Sequence, residues 1–127
     1  MGEYLYEEIT RHIIGAAFDV HNALGKGLQE KVYENALAVG IRCAGLKAEQ
    51  QKPLPLFFNN VRVGTQVFDL IVEERILVEV KAVKTIATAH ISQVLGYLKN
   101  TKFQLGLIIN FGDKVSVKRL ILTTEHR

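Results

Sequence analysis

The spacing of apolar residues divides the chain into helical and strand-like segments. Residues 3–24 and 29–43 carry apolar side chains at steps of three and four, which predicts two amphipathic helices. In the second helix this spacing favours Val32, Ala36 and Val39 as the buried side. Each helix is followed by a glycine, the residue that most often ends a helix. The first third of the chain is therefore predicted to be a helical pair.

The rest of the chain has strand-like segments on both sides of a third helix, predicted over residues 88–99. The predicted strands are residues 48–58, 61–72, 76–82, 103–110 and 115–122. Pro53 and Pro55 favour an edge position for the first strand, and Asn59-Asn60 is typical of a two-residue hairpin turn. This order predicts an α/β protein whose central mixed β-sheet is flanked by helices.

Composition limits the classes of protein that fit. A chain of 127 residues, 48% hydrophobic and 23% charged, is long enough for one core, so we expect a single globular domain over residues 1–127. No apolar run approaches the ~18–20 residues that span a bilayer, and the acidic amino terminus does not resemble a secretory signal. Cys43, expected to be buried, is the only cysteine, which favours the reducing cytoplasm.

Charge is distributed unevenly along the chain. Through residue 80, eight Lys/Arg accompany eleven Asp/Glu, a balance of −3, whereas from Lys81 onward eight Lys/Arg accompany two acids, a balance of +6. This asymmetry is typical of a phosphate-facing surface, and a scattered, solvated surface fits it equally well.

The candidate chemistry lies in the segment Phe68–Lys81. A turn at residues 73–75 would place Asp69 beside Glu79 across a hairpin, and Lys81 would share the face of Glu79 because residues two apart in a strand point the same way. Carboxylates brought together among apolar residues favour a hard cation such as Mg²⁺. Two simpler interpretations remain: Asp69 as a turn residue, and Glu79 as an ion-pair partner or a charge on an edge strand.

The Asp69, Glu79 and Lys81 spacing resembles that of the PD-(D/E)XK nuclease superfamily, with Phe68 at the position of the proline. The segment from Gly27 to Tyr33 has the form G-x-x-E-x-x-Y and is similar to the GxxExxY protein family, a prokaryotic branch of that superfamily. Gln93 and Tyr97 match the Q-x-x-x-Y of exonuclease-like branches. The resemblance extends from about Leu5 to Leu120 and implies a restriction-endonuclease-like core.

The resemblance also implies roles for individual residues. Asp69, Glu79 and the Val80 carbonyl oxygen would bind Mg²⁺, for which Mn²⁺ can substitute, and Lys81 would act on a metal-activated water. Glu30, on one helical stripe with Tyr33 and Leu37, would be a further acid from the second helix, although a first-turn acid favoured by the helix dipole fits as well. Gln93 would position water or phosphate.

Substrate contacts are expected from Tyr97, Lys84, Lys99 and Lys102, with half-buried packing as the alternative for Tyr97. His90 is interpreted as a first-turn residue of the third helix and not as a metal ligand. The sequence therefore predicts a cytoplasmic, metal-dependent nuclease acting on DNA. A catalytically weak or inactive module that binds nucleic acid or protein is the leading alternative, an RNA nuclease is a further one, and homo-oligomers remain open.

Overall fold

The computed structural model describes residues 6–122, which form a five-stranded mixed sheet with helices on both faces. The helices are α1 (Glu7–Leu24), α2 (Glu30–Cys43) and α3 (Thr88–Lys99). The strands are β1 (Ala48–Phe58), β2 (Val61–Val72), β3 (Ile76–Lys81), β4 (Leu105–Phe111) and β5 (Val115–Ile121). The predicted fold class is confirmed. The predicted start of the first helix, residues 3–5, lies outside the described residues.

The strands lie in the order β1-β2-β3-β4-β5. All neighbours are antiparallel except β3 and β4, which are parallel and joined by α3 as the crossover that parallel strands require. At the β1–β2 hairpin, Asn59 and Asn60 have φ of 49° and 64°, as a type I′ turn needs. This arrangement puts β3, with Glu79 and Lys81, in the middle of the sheet.

Two apolar clusters cover the two faces of the sheet. On one face α1 and α2 pack against alternate residues of the central strands, including Val78 and Val80. On the other face α3 packs through Val94 and Leu98 against a smaller cluster that includes Leu77. The predicted alternation of β3 is therefore confirmed, because Val78 and Val80 enter the layer opposite to Leu77.

The predicted buried side of α2 is wrong. Val32 is 42% and Val39 is 59% exposed, and Ala36 is only partly buried. The buried residues of this helix are Tyr33, Glu34, Leu37, Ala38 and Ile41. Tyr33 sets the rotation of the helix: its hydroxyl donates to the Gly25 carbonyl at 2.6 Å and its ring stacks on Phe111 at 4.6 Å.

Cys43 is also exposed, not buried, at the last residue of α2. Within residues 6–122, no helix combines the length and the apolar character that a membrane span needs.

Candidate active site

The β2–β3 ladder opens where the two predicted acids lie. Its pairing runs from Val72↔Ile76 to Leu70↔Val78 and stops before Asp69 and Glu79. Beyond that point, strand amides donate to carboxylate side chains and not to the carbonyls of the opposite strand. The Asp69 amide donates to Glu79 Oε1 at 3.1 Å, and the Val80 amide donates to Asp69 Oδ2 at 2.8 Å. Each carboxylate is thus bonded to the backbone beside the other, and the two acids converge.

Both acids are held where charge is poorly solvated. Burial, and secondarily the negative charge of Asp69, raise the pKa of Glu79 from 4.5 to about 7, against the opposing effects of the Asp69 amide and the Lys81 charge. Burial also raises the pKa of Asp69, although the Val80 amide opposes this. A proton or a cation bound at the pair would therefore relieve unfavourable energy.

Lys81 ends β3 on the same side as Glu79, and it is partly buried. Its positive charge lowers the pKa of both Asp69 and Glu79. Among residues 6–122, no ion pair within 4.0 Å includes Lys81 or Glu79. The interpretation of Glu79 as an ion-pair partner therefore finds no support in the part of the chain that the structure describes.

A kink in β1 supplies one neighbour of the acids. The β1–β2 pairing passes from Gln50↔Leu70 to Lys52↔Phe68, and Gln51 between them has a left-handed φ of 53°. Its side chain donates to Asp69 Oδ1 at 3.3 Å and to Glu34 Oε1 at 3.0 Å. Backbone in this region is unfavourable for a residue other than glycine and is often found at functional sites.

Glu34 is a third acid near the pair, and the sequence reasoning missed it. Its side chain is 5% exposed and accepts hydrogen bonds from Lys31, Gln50 and Gln51. Its negative charge raises the pKa of both Asp69 and Glu79. Glu34 lies at helical spacing from Leu37 and Ile41, but the sequence alone does not show that this side of α2 is the buried one.

Glu30, the helix acid that was predicted, lies one turn before Glu34 and is exposed. Its Oε2 accepts the Ala82 amide at 3.3 Å, so it lies at the end of β3, next to Lys81. The structure therefore places Glu30 at the end of β3 that carries Lys81, whereas Glu34 is the α2 acid whose charge acts on the pair.

Tyr97 approaches the pair from α3, and Gln93 lies one turn before it in the same helix. Burial and the charges of Glu79 and Asp69 raise the pKa of Tyr97, and a hydrogen bond with Gln93 lowers it. The Tyr97 ring also packs edge-on against Phe68, with ring centres 4.9 Å apart. His90 Nδ1 accepts the Ala87 amide at 3.2 Å, as a first-turn residue does. The structure brings Tyr97 close to the carboxylates, and Gln93 to Tyr97.

The three predicted lysines do not form one surface. Lys84 borders a depression with Gly27 and Ala82 at the Lys81 end of β3. Lys102 lies beside the turn at residues 73–75, at the opposite end of the strand. Lys99, exposed, ends α3.

The donor set at the acid pair fits a hard divalent cation. Asp69 and Glu79 offer carboxylate oxygens only, which Mg²⁺ prefers. The Val80 amide points into the gap where the ladder has opened, and in a strand the carbonyl of the same residue points to the same side. No group of three or more His, Cys, Asp or Glu side chains arranged for a metal occurs within residues 6–122.

The five-stranded sheet, its flanking helices and the acid pair followed by a lysine define a restriction-endonuclease-like core. The family model for the PD-(D/E)XK nuclease superfamily matches residues 7–120, and the chain belongs to that superfamily. This membership indicates a nuclease fold and, with it, a nucleic-acid substrate. Neither the comparison with curated proteins nor that with solved structures found a match.

Proposed function

We propose that this protein is a metal-dependent nuclease that hydrolyses phosphodiester bonds in DNA, with Mg²⁺ as cofactor and Mn²⁺ able to substitute. The observation that carries this proposal is that the Glu79 and Asp69 carboxylates accept hydrogen bonds from the Asp69 and Val80 amides, respectively, across the open end of the β2–β3 ladder. Two carboxylates fixed in this way in a protein of this superfamily form a binding place for a divalent cation.

Three residues would hold the cation: Asp69 and Glu79 through their carboxylates, and Val80 through its carbonyl oxygen. When bound, the metal supplies an acidified water and offsets the negative charge that develops on the phosphate. Glu79 Oε2 accepts no hydrogen bond from residues 6–122, so this oxygen is free to bind. Protonation of Glu79 would compete with the metal because both need the same oxygens.

Lys81 is proposed to act on the water and on the phosphate. Its ammonium lacks an ion-pair partner within the described chain, so its three N–H donors are available. It would hold the attacking water in line and donate a hydrogen bond to a phosphate oxygen as negative charge grows there. Gln93 and Glu30 would orient the water from α3 and α2.

The proposed substrate contacts are Tyr97, Lys84, Lys99 and Lys102. The charges of both acids act on Tyr97, which would bind the phosphate or base next to the cleaved bond, whereas the lysines would bind the backbone further away. We place the protein in the cytoplasm, on the argument from its single cysteine. The G-x-x-E-x-x-Y segment supports membership of the prokaryotic GxxExxY branch.

A cleavage assay tests the proposal. Single-stranded, duplex and branched DNA, and RNA of matching sequence, are incubated with the protein in Mg²⁺, in Mn²⁺ and in EDTA. We expect cleavage of DNA in either metal, none in EDTA, and a loss of at least about a hundredfold in Lys81→Ala. Lys118→Ala, an exposed lysine of β5, is the matched control and should retain full activity. Metal-independent cleavage, or activity unchanged in Lys81→Ala, would contradict the proposal.

A second candidate is a nucleic-acid-binding module without turnover. The observation that favours it is that both oxygens of Asp69 already accept hydrogen bonds, from Val80 and from Gln51. In that case the same assay would find tight binding of DNA and no cleavage in any metal.

A further inference from the structure

A groove runs between the β1–β2 hairpin and α3, on the face of the sheet that carries α3. The part nearest the acids, about 290 Å³, is bordered by Leu56 and Gln66 of the hairpin and by Gln93, Gly96 and Tyr97 of α3. A second part, about 390 Å³, continues past Asn100, which borders both, to Phe57 and Lys102. We call the two parts together the hairpin groove.

The lining changes along the hairpin groove. Its first part contains no charged side chain and offers the amides of Gln66, Gln93 and Asn100, each with donors and an acceptor. The second part is mostly apolar, with Phe57 59% exposed, and its charged lining residues are Lys52, Glu74 and Lys102. Lys102 makes no ion pair within residues 6–122. Amides and aromatic rings suit nucleobases, and a free lysine suits a phosphate.

Gly96 keeps the first part open. It lies inside α3, where glycine costs about 0.5–1 kcal/mol relative to alanine. A Cβ built on it meets nothing within 4 Å, so packing of the fold does not require a glycine here. A side chain at this position would lie over the preceding turn, toward Gln93, and would fill the groove.

We propose that the hairpin groove binds an unpaired stretch of the nucleic-acid substrate, with bases against Tyr97 and the amides and with the backbone leaving past Lys102. This rests on the proposed function. Continuity with the site supports it, since Tyr97 borders the groove and is close enough for the charges of Glu79 and Asp69 to act on it. The Watson–Crick edges of bases are available to such amides only when the bases are unpaired, and cavities of this size admit single nucleotides but no duplex. The preferred substrate is therefore single-stranded, frayed or branched.

The test measures binding apart from catalysis. Fluorescence anisotropy in EDTA compares a short labelled single strand with a blunt duplex of the same sequence, for the wild-type protein, Gly96→Leu and Gly15→Leu. Gly15 is the matched control, because it lies inside a helix, α1, and a Cβ on it also meets nothing within 4 Å. We expect the wild type to prefer the single strand, Gly96→Leu to lose at least about tenfold in affinity, and Gly15→Leu to match the wild type. Gln66→Glu is a second variant, used if Gly96→Leu folds poorly. It brings a negative charge to the groove and should lose affinity to a similar extent.

The outcomes separate the groove from the catalytic site. Unchanged affinity in Gly96→Leu and in Gln66→Glu would mean that the groove holds something else, such as a partner peptide, and would overturn the proposal. Equal affinity of the wild type for both probes, or none for either, would overturn it too. Groove-dependent binding without cleavage in any metal would support the groove and contradict only the nuclease proposal.

Discussion

Glu79 lies where the sheet solvates a negative charge poorly. Glu79 is 9% exposed, Val78 and Val80 beside it are buried, and Asp69 lies opposite on β2, where the β2–β3 ladder has opened. In the unfolded chain this charge is exposed to water, so Glu79 holds its proton more tightly in the metal-free folded protein than in the unfolded chain. This difference makes the stability of the metal-free protein depend on pH.

In EDTA, the free energy of unfolding should fall as the pH rises from 4.5 to about 7, because the folded state there binds a proton that the unfolded state has lost. Glu79→Gln keeps an acceptor for the Asp69 amide and removes the charge. At pH 8 it should therefore be more stable than the wild type, by up to about 3 kcal/mol, and below pH 4.5 the two should converge. Urea denaturation at a series of pH values measures this.

The control for this series is Glu7→Gln, which makes the same change at an exposed first-turn acid of α1. Thermal melts with and without Mg²⁺ complete the comparison, since only the wild type should gain stability from the metal. A Glu79→Gln protein clearly less stable than the wild type at pH 8 would identify Glu79 as a structural residue.

At the scale of elements, strand and helix positions followed from local sequence, and the bounds of β1 and β2 match the prediction in full. The buried side of α2 did not follow from local sequence, because it depends on partners distant in sequence. These are Phe111 for Tyr33, and Gln50 and Gln51 for Glu34. The same dependence hid Glu34. Asp69 and Glu79 could be predicted because a short hairpin alone brings them together.

The contact between α3 and β4 positions Gln93 and Tyr97 relative to the acids. A Cβ on Gly106 of β4 would come within 2.8 Å of Val94 Cγ1, so the helix packs closely on this glycine. Gly106→Ala should destabilise the fold by about 1–3 kcal/mol and lower cleavage by moving α3. Val94→Ala in the same chain should restore part of both losses, which denaturation and cleavage rates would measure as a double-mutant cycle. Additive losses would show that this contact does not position the helix.

At the scale of the whole molecule, the basic second half of the sequence did not become one basic surface, since Lys84 and Lys102 lie at opposite ends of β3. The order of residues could not reveal this separation, because the crossover through α3 carries the chain from one end of the sheet to the other. Lys84 is the predicted contact at the end that carries Lys81.

Binding of nucleic acid should weaken steeply with salt, because each phosphate contact releases counterions. Lys84→Glu should reduce affinity and lower the slope of log affinity against log salt by about one. Arg11→Glu, on the exposed side of α1 away from β3, is the control and should leave the slope unchanged. Titrations over a range of salt concentrations measure both, and an equal slope in Lys84→Glu would exclude Lys84 from the interface.

The central claim, that Asp69 and Glu79 form a divalent-cation site, is tested most directly by a crystal structure of the protein soaked with Mn²⁺ and measured at an anomalous wavelength. The account predicts one ion between the two acids with oxygen ligands only, contributed by Asp69, Glu79 and the Val80 carbonyl, and distances of about 2.0–2.1 Å when Mg²⁺ replaces Mn²⁺. Both carboxylates still bonded to the Asp69 and Val80 amides at saturating Mn²⁺, with no ion between them, would contradict it.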